Sequence, residues 1–575
     1  MERERIGAEE RPAPAIVGET RVEQEGVRQP RQGSQRSQRI ADAEGTDERK
    51  ASRHGSGTLT SPATECQRRP ARMLGARGLG HDARLAPPHS APRLARPGAR
   101  DRGPHHVHGR TGLARTHGGA LLSTFLIHSG TLICMDTAGT VVPGDLLIQD
   151  GLIAAVGPAV RDALPQLPGG GADASYDAAG CFVLPGLVHA HLHLCQTLFR
   201  GLAEQSDLLR WLRESIWPLE AAHTEASIAA SARLGLCELV AGGVTCINDM
   251  GTVRHTAVIA DALEESGIRA VFGKALMDAG EGVPAELKQR REEALEEALA
   301  LAKRYDGAAA GRLRVSLAPR FILSCTEALW RDVADASAEN RLIVHTHLAE
   351  SPAEARAVEA AVGGTAARYF AGRQVLSERF VGAHGVWVED DELALLSRAR
   401  AALVHCPGSN LKLGSGLANV RAWRRAGIRA GLGSDGAACN NRLDTFHEMS
   451  LAAGISRVLV PREPLSEKEV LELATRGGAE SLGLGAVTGS LEAGKQGDVM
   501  VLDVSSPHLA PNEDGDPYAT IVHAARVSDV RLTMVSGRIL YRDGSWATLD
   551  AERTAAESRA EARRLRGRLE TGAAR

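Results

Sequence analysis

The chain has 575 residues, of which 43% are hydrophobic, so it is long enough for several domains or for one large barrel with additions. Its formal net charge of -3 at pH 7 argues against a protein whose main partner is a nucleic acid. Nine scattered cysteines without a Cys-x-x-Cys pair fit a reducing cytoplasm better than a disulfide framework, and the lack of an apolar run of about 18 residues predicts no membrane span.

Residues 1–120 differ in composition from the rest of the chain. They are rich in Arg, Pro, Gly, Ser and Gln, have Lys50 as their only lysine, and precede the first aromatic residue, Phe125. Such a segment cannot bury enough apolar surface to offset the entropy that is lost on ordering. We therefore predict that residues 1–120 are disordered or arise from a start codon set too far upstream, rather than forming a basic arm for anionic partners.

The next elements have β character. Residues 121–183 contain short alternating apolar runs separated by Ser-Gly, Pro-Gly and Asp-Gly turns. Residues 487–548 show a similar pattern of apolar runs and turn residues. We predict that the two segments form one small β-sandwich domain, built from both ends of the catalytic region. Residues 549–575 are expected to form a C-terminal helix.

Residues 184–486 alternate short apolar runs with helical patterns such as AELKQRREEALEEALALAKRY at 285–305. Alternation over a stretch of this length is typical of a parallel α/β fold, and of a (β/α)8 TIM-like barrel in particular, whose chemistry lies at the carboxyl ends of the strands. Several of the predicted strand ends carry a metal-ligand or titratable residue. They are His189, His191 and His193, then His347 with Glu350, His384, His405 and Asp435.

The stretch LVHAHLHL at 187–194 places His189, His191 and His193 two residues apart. On a strand the three side chains point to the same face, because side chains alternate with a period of two. Three His and an Asp suit a divalent ion such as zinc with an open position for water, whose pKa the ion lowers towards neutrality. Because active groups gather at the carboxyl end of a barrel strand, the later pair, His191 and His193, is the expected ligand pair.

Several of these residues fall in longer motifs, which read PGLVHAHLH, HTHLAE, GAHG, HCPGSNLKL and GSDGAACNN. Together and in this order they resemble the amidohydrolase superfamily, over about residues 122–548. The resemblance implies a (β/α)8 barrel with a small β-sandwich, and one metal ion held by His-x-His, a further His and an Asp. Within the superfamily the motifs resemble the zinc-dependent deaminases of adenosine derivatives and of guanine.

Position by position, the resemblance implies a role for each motif residue. Glu350 matches the catalytic acid of a His-x-x-Glu motif, and His384 matches the histidine that contacts the substrate and the attacking water. Asp435 matches both the last ligand and the base, while His189 stands where Asn is common and is expected to play a supporting polar role. The implied cofactor is one divalent ion, Zn²⁺ in the first place and Fe²⁺ as the alternative. Its implied ligands are His191, His193, His347 and Asp435.

The segment WLRESIWPLEA at 211–221 resembles deaminases of S-adenosylhomocysteine, methylthioadenosine and 5′-deoxyadenosine, in which the Glu after Trp-Pro-Leu binds the ribose hydroxyls; here it is Glu220. In APRFILSC, Arg320 stands where these deaminases tend to have His and guanine deaminases have Arg. Arg320 is expected to donate to a purine ring atom or a tail on the ribose, or to be only a rim charge. Arg290 and Arg291 have no clean spacing match. The expected substrate contacts are Glu220, Arg320, Glu350 and His384.

The motifs together predict hydrolytic deamination of an adenosine derivative at C6 by metal-activated hydroxide, giving the inosine form and ammonia. The derivative is expected to be 5′-deoxyadenosine, S-adenosylhomocysteine or methylthioadenosine. The alternatives are a guanine deaminase, a triazine-type chlorohydrolase or aminohydrolase, and an inactive scaffold relative. We expect a cytoplasmic homo-oligomer whose partner is a small purine nucleoside, with no nucleic acid and no membrane.

Overall fold

The computed structural model describes residues 123–167, 170–204, 207–511 and 515–571, so the predictions for residues 1–120 lie outside it. The described strands form two sheets, one mixed and one parallel. The mixed sheet contains β1 (Thr124–Ile133), β2 (Val141–Gln149), β3 (Leu152–Val156), β4 (Ala174–Asp177), β5 (Cys181–Pro185), β14 (Val499–Asp503), β15 (Val530–Val535), β16 (Arg538–Arg542) and β17 (Ser545–Trp546). The parallel sheet contains β6 (Leu187–Leu192), β7 (Val244–Asp249), β8 (Arg269–Leu276), β9 (Leu313–Pro319), β10 (Ile343–Leu348), β11 (Phe380–His384), β12 (Ala402–His405) and β13 (Arg429–Leu432).

The eight parallel strands follow one another in chain order from β6 to β13, as in a barrel. The first and last strands meet where the backbone N–H of Asp435, just after β13, donates to the carbonyl of His191 on β6 at 3.2 Å. Helices between the strands cover the outside, which is why most strand residues are buried on both faces. The longer helices are Glu225–Ala241, Thr256–Ser266, Arg291–Tyr305, Glu327–Asn340, Pro352–Val362, Ala366–Gly372, Asp390–Arg398, Thr445–Leu459, Glu467–Leu473 and Ala551–Glu570.

The mixed sheet joins strands from both ends of the described chain. Its order is β17-β16-β15-β14-β5-β1-β2-β3, with β4 paired to β1. The central contact is antiparallel pairing of β5 with β14, which places Val183 opposite Val501. The predicted fold class, a barrel with an added β region built from both ends of the catalytic region, is confirmed.

The two sheets meet at a short junction. Gly186 is the single residue between β5 and β6, and a Cβ at this position would lie 2.0 Å from the Thr245 side chain, so the close approach requires glycine. Nearby, the buried Arg269 guanidinium donates to both carboxylate oxygens of Asp498 at 2.8 and 3.1 Å, and also to Ser536 Oγ. This pair ties the amino end of β8 to the mixed sheet.

Two helices show how local sequence sets the element bounds. The pattern at 285–305 predicts one helix, but the helix begins at Arg291 and residues Ala285–Leu287 form a separate 3-10 turn. The interruption follows from the Gln289 N–H, which donates to the Met277 carbonyl instead of to a helical acceptor. The helix Ala551–Glu570 follows its cap residue Asp550, whose side chain accepts from the Arg553 N–H.

None of the described helices is long and apolar enough to cross a membrane.

Candidate active site

The barrel brings the predicted residues together at the carboxyl ends of its strands. His191 lies on β6 and His193 directly after it, His347 lies near the end of β10, and His384 ends β11. Asp435 follows β13 and completes the cluster. One ligand atom from each of His191, His347, His384 and Asp435 lies within 4.8 Å of the others.

The position of His193 needs a separate comparison, because the four-residue group contains His384 in its place. His193 Nε2 is 3.3 Å from Asp435 Oδ1 and 3.3 Å from His347 Nε2, and His191 Nε2 is also 3.3 Å from Asp435 Oδ1. His193 Nε2 is therefore as close to the Asp435 carboxylate as His191 Nε2 is. His384 Nε2 is farther from the carboxylate, at 3.9 Å from Asp435 Oδ2.

The donor set fits a divalent cation. Among the described residues, His191 Nε2 and His384 Nε2 are buried and have no hydrogen-bond partner, which is costly unless a ligand fills the space between them. Burial lowers the pKa of His191 to about 4, and burial followed by neighbouring histidines holds the pKa of His347 well below its usual range. Neutral imidazoles and a carboxylate are the forms that ligate zinc.

The outer ring nitrogens hold the histidines in orientation. His347 Nδ1 donates to the Arg320 carbonyl at 2.7 Å, and His191 Nδ1 shares a hydrogen bond of 2.8 Å with His345 Nε2. Both interactions turn Nε2 towards the centre of the cluster, as outer partners of metal-binding histidines do. His189 lies deeper: its Nε2 accepts from the Ser434 N–H at 2.7 Å and so supports the loop that carries Asp435.

The carboxylate of Asp435 is held from several sides. Oδ1 accepts from the Gly436 N–H at 2.8 Å, and Oδ2 accepts from Ser409 Oγ at 2.8 Å and from Cys439 Sγ at 3.1 Å. Burial opposes its ionisation, but the neighbouring His191 and His193, whose Nε2 atoms lie 3.3 Å from Oδ1, outweigh burial and keep the pKa of Asp435 well below its usual range. Asp435 has a left-handed backbone with φ of 62°, a costly conformation for a residue with a side chain.

Glu350 lies beside this cluster, and its pKa is shifted in the opposite direction from that of Asp435. Burial first, and then the negative charges of Asp435 and Glu354, raise the pKa of Glu350 well above its usual range. His384 Nε2 lies 3.6 Å from Glu350 Oε2, and His384 Nδ1 donates to Asn410 Oδ1 at 2.9 Å. Two neighbouring carboxyl groups whose surroundings move their pKa values in opposite directions suit an acid role and a base role.

The sequence around Glu350 explains its position. Ser351 caps the helix Pro352–Val362 and forms a capping box with Glu354, whose side chain also accepts from the Glu350 N–H at 2.6 Å. The start of this helix therefore fixes the backbone of Glu350, which lies two residues after the end of β10.

A cavity opens beside the histidine cluster, and its volume is about 400 Å³ when the adjoining solvent space is included. Its lining includes a Trp, two Leu and a Phe, whose apolar surfaces suit the faces of a planar heterocycle. The other lining residues are polar or charged. The apolar lining is Leu208, Trp211, Leu212 and Phe321, and the polar lining is His193, Gln196, Arg320, His347, Glu350, Glu354 and Asp435.

The predicted substrate residues Glu220 and Arg320 contact each other at the edge of this cavity. Arg320 Nη2 donates to Glu220 Oε1 at 3.1 Å and Nη1 donates to Oε2, while Gln196 Nε2 donates to Oε1 at 2.9 Å. Burial disfavours both charges, yet each partner outweighs it, so the pKa of Glu220 falls and that of Arg320 rises. A second cavity of about 460 Å³ shares Glu220 and Arg320 with the first and reaches Arg254.

The remaining candidates lie outside the cluster. Arg291 pairs with Glu292 and Asp332, and neither Arg290 nor Arg291 lines the two cavities. His405 is buried with its ring edge-on to Trp423, at 6.1 Å between ring centroids, which fits a packing role.

Sequence reasoning missed several residues that contact the site. Ser409, Asn410 and Cys439 lie within the quoted motifs HCPGSNLKL and GSDGAACNN, but motif spacing does not tell which atoms they contact. Gln196 follows His193 by three residues, a position that carried no signal. Asp249 ends β7 and accepts from the Leu194 N–H at 2.8 Å, and burial raises its pKa to about 6.

Comparisons with known proteins agree with this geometry. The amidohydrolase family matches residues 182–540 of the chain. A Natronomonas pharaonis protein named 5-methylthioadenosine/S-adenosylhomocysteine deaminase is 37% identical over 399 residues, covering 69% of this chain and 90% of the relative. A Methanothermobacter thermautotrophicus protein named 5′-deoxyadenosine deaminase is 36% identical over 433 residues, covering 75% and 96%.

A solved structure extends the comparison to three dimensions. The adenosine deaminase of Xanthomonas campestris, determined with bound zinc, superposes with a TM-score of 0.72 at 27% sequence identity. The match covers 77% of this chain and 98% of that protein.

Proposed function

The chain belongs to the amidohydrolase family, and from this premise we propose that it deaminates an adenosine derivative at C6, giving the inosine form and ammonia. It is then a metal-dependent hydrolase acting on C–N bonds, like the deaminases it resembles. One observation carries the proposal: the buried His and Asp cluster, Glu350 and several apolar side chains line one cavity, and Arg320 in its lining pairs with Glu220.

The proposed metal ligands are His191, His193, His347 and Asp435. A divalent ion held there, zinc first and ferrous iron second, lowers the pKa of a water molecule and so supplies a nucleophile at neutral pH. Zinc is favoured because the similar Xanthomonas campestris deaminase was determined with it. Metal analysis of the purified protein decides the identity of the ion.

The side chains around the cluster move the protons. Water adds at C6 while Glu350 donates its proton to the adjacent ring nitrogen, which requires the raised pKa described above. Asp435 accepts one proton from the attacking water and passes it to the leaving amine, so that ammonia departs. The second proton of that water, on the C6 hydroxyl, returns to Glu350 as the C6 carbonyl forms. His384 lies 3.6 Å from Glu350 and 3.9 Å from Asp435, a position from which it contacts the attacking oxygen.

The cavity walls orient the substrate. The purine lies against Trp211 and Phe321, and the ribose points towards Glu220 at the edge of the cavity. We place the 5′ substituent in the second cavity, because this cavity shares Glu220 and Arg320 with the first. The substituent itself, as in 5′-deoxyadenosine, methylthioadenosine or S-adenosylhomocysteine, is the least constrained part of the proposal.

The predicted domain boundaries, the cytoplasmic location, a role in nucleoside salvage and the homo-oligomeric state belong to the same proposal. They are supported by the composition and by the resemblance stated above. Gel filtration with light scattering tests the oligomeric state.

The test of the reaction is ammonia release from a substrate panel. The purified protein is assayed with 5′-deoxyadenosine, methylthioadenosine, S-adenosylhomocysteine, guanine and a triazine, with each product identified by its ultraviolet spectrum. We expect at least one of the three nucleosides to give the highest kcat/KM. Activity on guanine alone, or a triazine turned over faster than every nucleoside, would overturn the proposal.

A further inference from the structure

The buried carboxyl group of Glu448 lies behind the candidate site. Glu448 is fully buried on the helix Thr445–Leu459 and lines neither of the two cavities. Burial raises the pKa of this carboxyl to about 7, although its hydrogen-bond partners oppose the rise. Burying an ionisable group costs stability unless its hydrogen bonds are made, so the partners of Glu448 indicate its role.

Glu448 joins the two segments that follow β12 and β13, residues 406–410 and 433–440. From the first segment, the Gly408 N–H donates to Glu448 Oε2 at 2.9 Å. From the second segment, Asn440 Nδ2 donates to Glu448 Oε1 at 2.8 Å. One buried carboxylate therefore sets the spacing of the two segments.

Two further features tighten this connection. Asn440 Nδ2 also donates to the Ser434 carbonyl at 2.8 Å, so the amide holds the second segment near both of its ends. A Cβ at Gly408 would lie 2.5 Å from Glu448 Oε1 and from Asn440 Nδ2, so the first segment needs glycine to reach the carboxylate. The contact thus depends on the close approach of this backbone to the carboxylate.

The same two segments hold the Asp435 carboxylate. Ser409, the neighbour of Gly408, donates through Oγ to Asp435 Oδ2 at 2.8 Å. Asp435 itself follows Ser434, whose carbonyl accepts from the Asn440 amide. A change in the spacing of the segments would therefore change the direction in which the carboxylate points.

The first segment also orients His384. Asn410 Oδ1 accepts from His384 Nδ1 at 2.9 Å, and Asn410 lies two residues after Gly408. This contact directs His384 Nε2 into the histidine cluster. The backbone that Glu448 holds thus supports both a proposed metal ligand and a proposed substrate contact.

We propose that Glu448 is a positioning residue for the deamination, which acts through the two segments and touches neither metal nor substrate. It sets the spacing of the segments, and so holds the Asp435 carboxylate and the His384 ring in the directions that proton transfer needs. The inference rests on the proposed function and adds to it a group outside the cavity on which turnover depends. Its loss should lower kcat and leave KM and metal content nearly unchanged.

The experiment is a double-mutant cycle on the metal-loaded protein, assayed with the substrate of the panel that the parent turns over fastest. Glu448→Gln replaces one acceptor oxygen by an NH₂ group, which cannot accept from Gly408 or Asn440. We expect kcat to fall about tenfold, with KM and metal content within about twofold of the parent values. An unchanged kcat overturns the inference, and so does a loss that is explained by missing metal.

The second arm of the cycle tests whether Glu448 acts through Ser409. Ser409→Ala removes the hydrogen bond to Asp435 and keeps the contact between Gly408 and Glu448. If Glu448 positions this serine, the double variant should lose less kcat than the product of the two single losses. A double loss equal to that product would mean that Glu448 acts independently of the serine, which contradicts the inference.

A matched control separates positioning from a general loss of stability. Glu392 is also buried, and its carboxylate accepts from the Glu389 N–H at 2.8 Å and from the Thr365 hydroxyl, away from both cavities. Glu392→Gln should lower the free energy of unfolding about as much as Glu448→Gln does, and should leave kcat within about twofold of the parent. An equal fall of kcat in the two variants would assign the effect to stability and refute the positioning role.

A second variant covers the case in which Glu448→Gln does not fold. Asn440→Ala keeps the Gly408 contact and removes the side chain that joins Glu448 to the Ser434 carbonyl, and it too should lower kcat with the metal retained. Parent kcat in Asn440→Ala would then contradict the inference. A parent protein that turns over guanine or a triazine but no adenosine derivative refutes the proposed function, and the cycle on that substrate still decides the inference.

Discussion

Two buried arginine–carboxylate pairs lie at opposite ends of the barrel strands. Arg320 and Glu220 meet at the carboxyl ends, on the shared edge of two cavities, while Arg269 and Asp498 join the amino end of β8 to the mixed sheet. The side chains are 6% and 8% exposed in the first pair, and 3% and 0% in the second. Their chemistry and burial are therefore nearly the same.

The surroundings of the two pairs differ. Asp498 also accepts from the Ser536 N–H at 2.8 Å, so its second partner is the backbone of the mixed sheet. Glu220 has Gln196 as its second partner, and the far side of that amide has no partner among the described residues. Burial of an ion pair does not by itself tell function from architecture. The two pairs are told apart by their location, because Arg320 and Glu220 line a cavity beside the site and Arg269 and Asp498 do not.

The largest expected effect is loss of the metal at the carboxyl ends. His191→Ala and His193→Ala should each lose the ion and all measurable turnover, because each removes a proposed ligand. His189→Asn should keep most of the ion, since His189 contacts Ser434 and not the centre of the cluster. Metal content by mass spectrometry checks the three variants, and equal metal loss in all of them would show that the ligand assignment is wrong.

The second effect concerns proton transfer. Glu350→Gln should lower kcat by about 10²- to 10⁴-fold, because the amide has no proton to give to the ring nitrogen. The variant should retain its metal, since Glu350 is not among the proposed ligands. Ammonia release and metal content are measured on the same sample; a variant as active as the parent refutes the proton role.

The third effect appears at the other end of the barrel, in stability. Asp498→Ala leaves the buried Arg269 without its counter-charge and should cost about 3–5 kcal/mol of unfolding free energy. Urea unfolding measures the cost. The control is Glu214→Ala, which breaks the exposed Arg210–Glu214 pair. Breaking an exposed ion pair costs about 1 kcal/mol or less. Similar costs for the two variants would remove the architectural role assigned to Arg269 and Asp498.

The smallest expected effect is on substrate affinity. Glu220→Gln should raise KM for the nucleoside about tenfold through the lost charged acceptor, with a smaller change in kcat. Steady-state kinetics on the metal-loaded protein provide the measurement. A loss confined to kcat would place Glu220 in the chemistry instead of in substrate binding.

Much of the fold was predictable because its signals are local. The alternation of apolar runs with helical patterns predicted the barrel, and turn dipeptides predicted the β segments on either side of it. The pairing of β5 with β14 was not predictable in detail, because it depends on residues about 300 positions apart in the chain and on no local pattern.

The candidate site shows the same division. The convergence of the His-x-His motif and Asp435 was predicted from sequence, since the strand ends of a barrel lie close together. The bonding of Arg320 to Glu220 was missed, because it joins residues 100 positions apart and depends on side-chain orientation. Gln196 was missed for a related reason: it lines the cavity and donates to Glu220, and no residue pattern reveals such a contact.

The single residue that joins the two sheets restricts insertions and deletions next to the candidate site. Because only Gly186 separates β5 from β6, no loop can absorb a change in chain length between them. The length of this junction therefore determines which side chains of β6 point into the barrel. Inserting one residue there would turn His191 and His193 to the outside of the barrel, since successive side chains alternate between faces. A change of one residue in chain length at this junction would therefore move the proposed metal ligands away from the reacting centre.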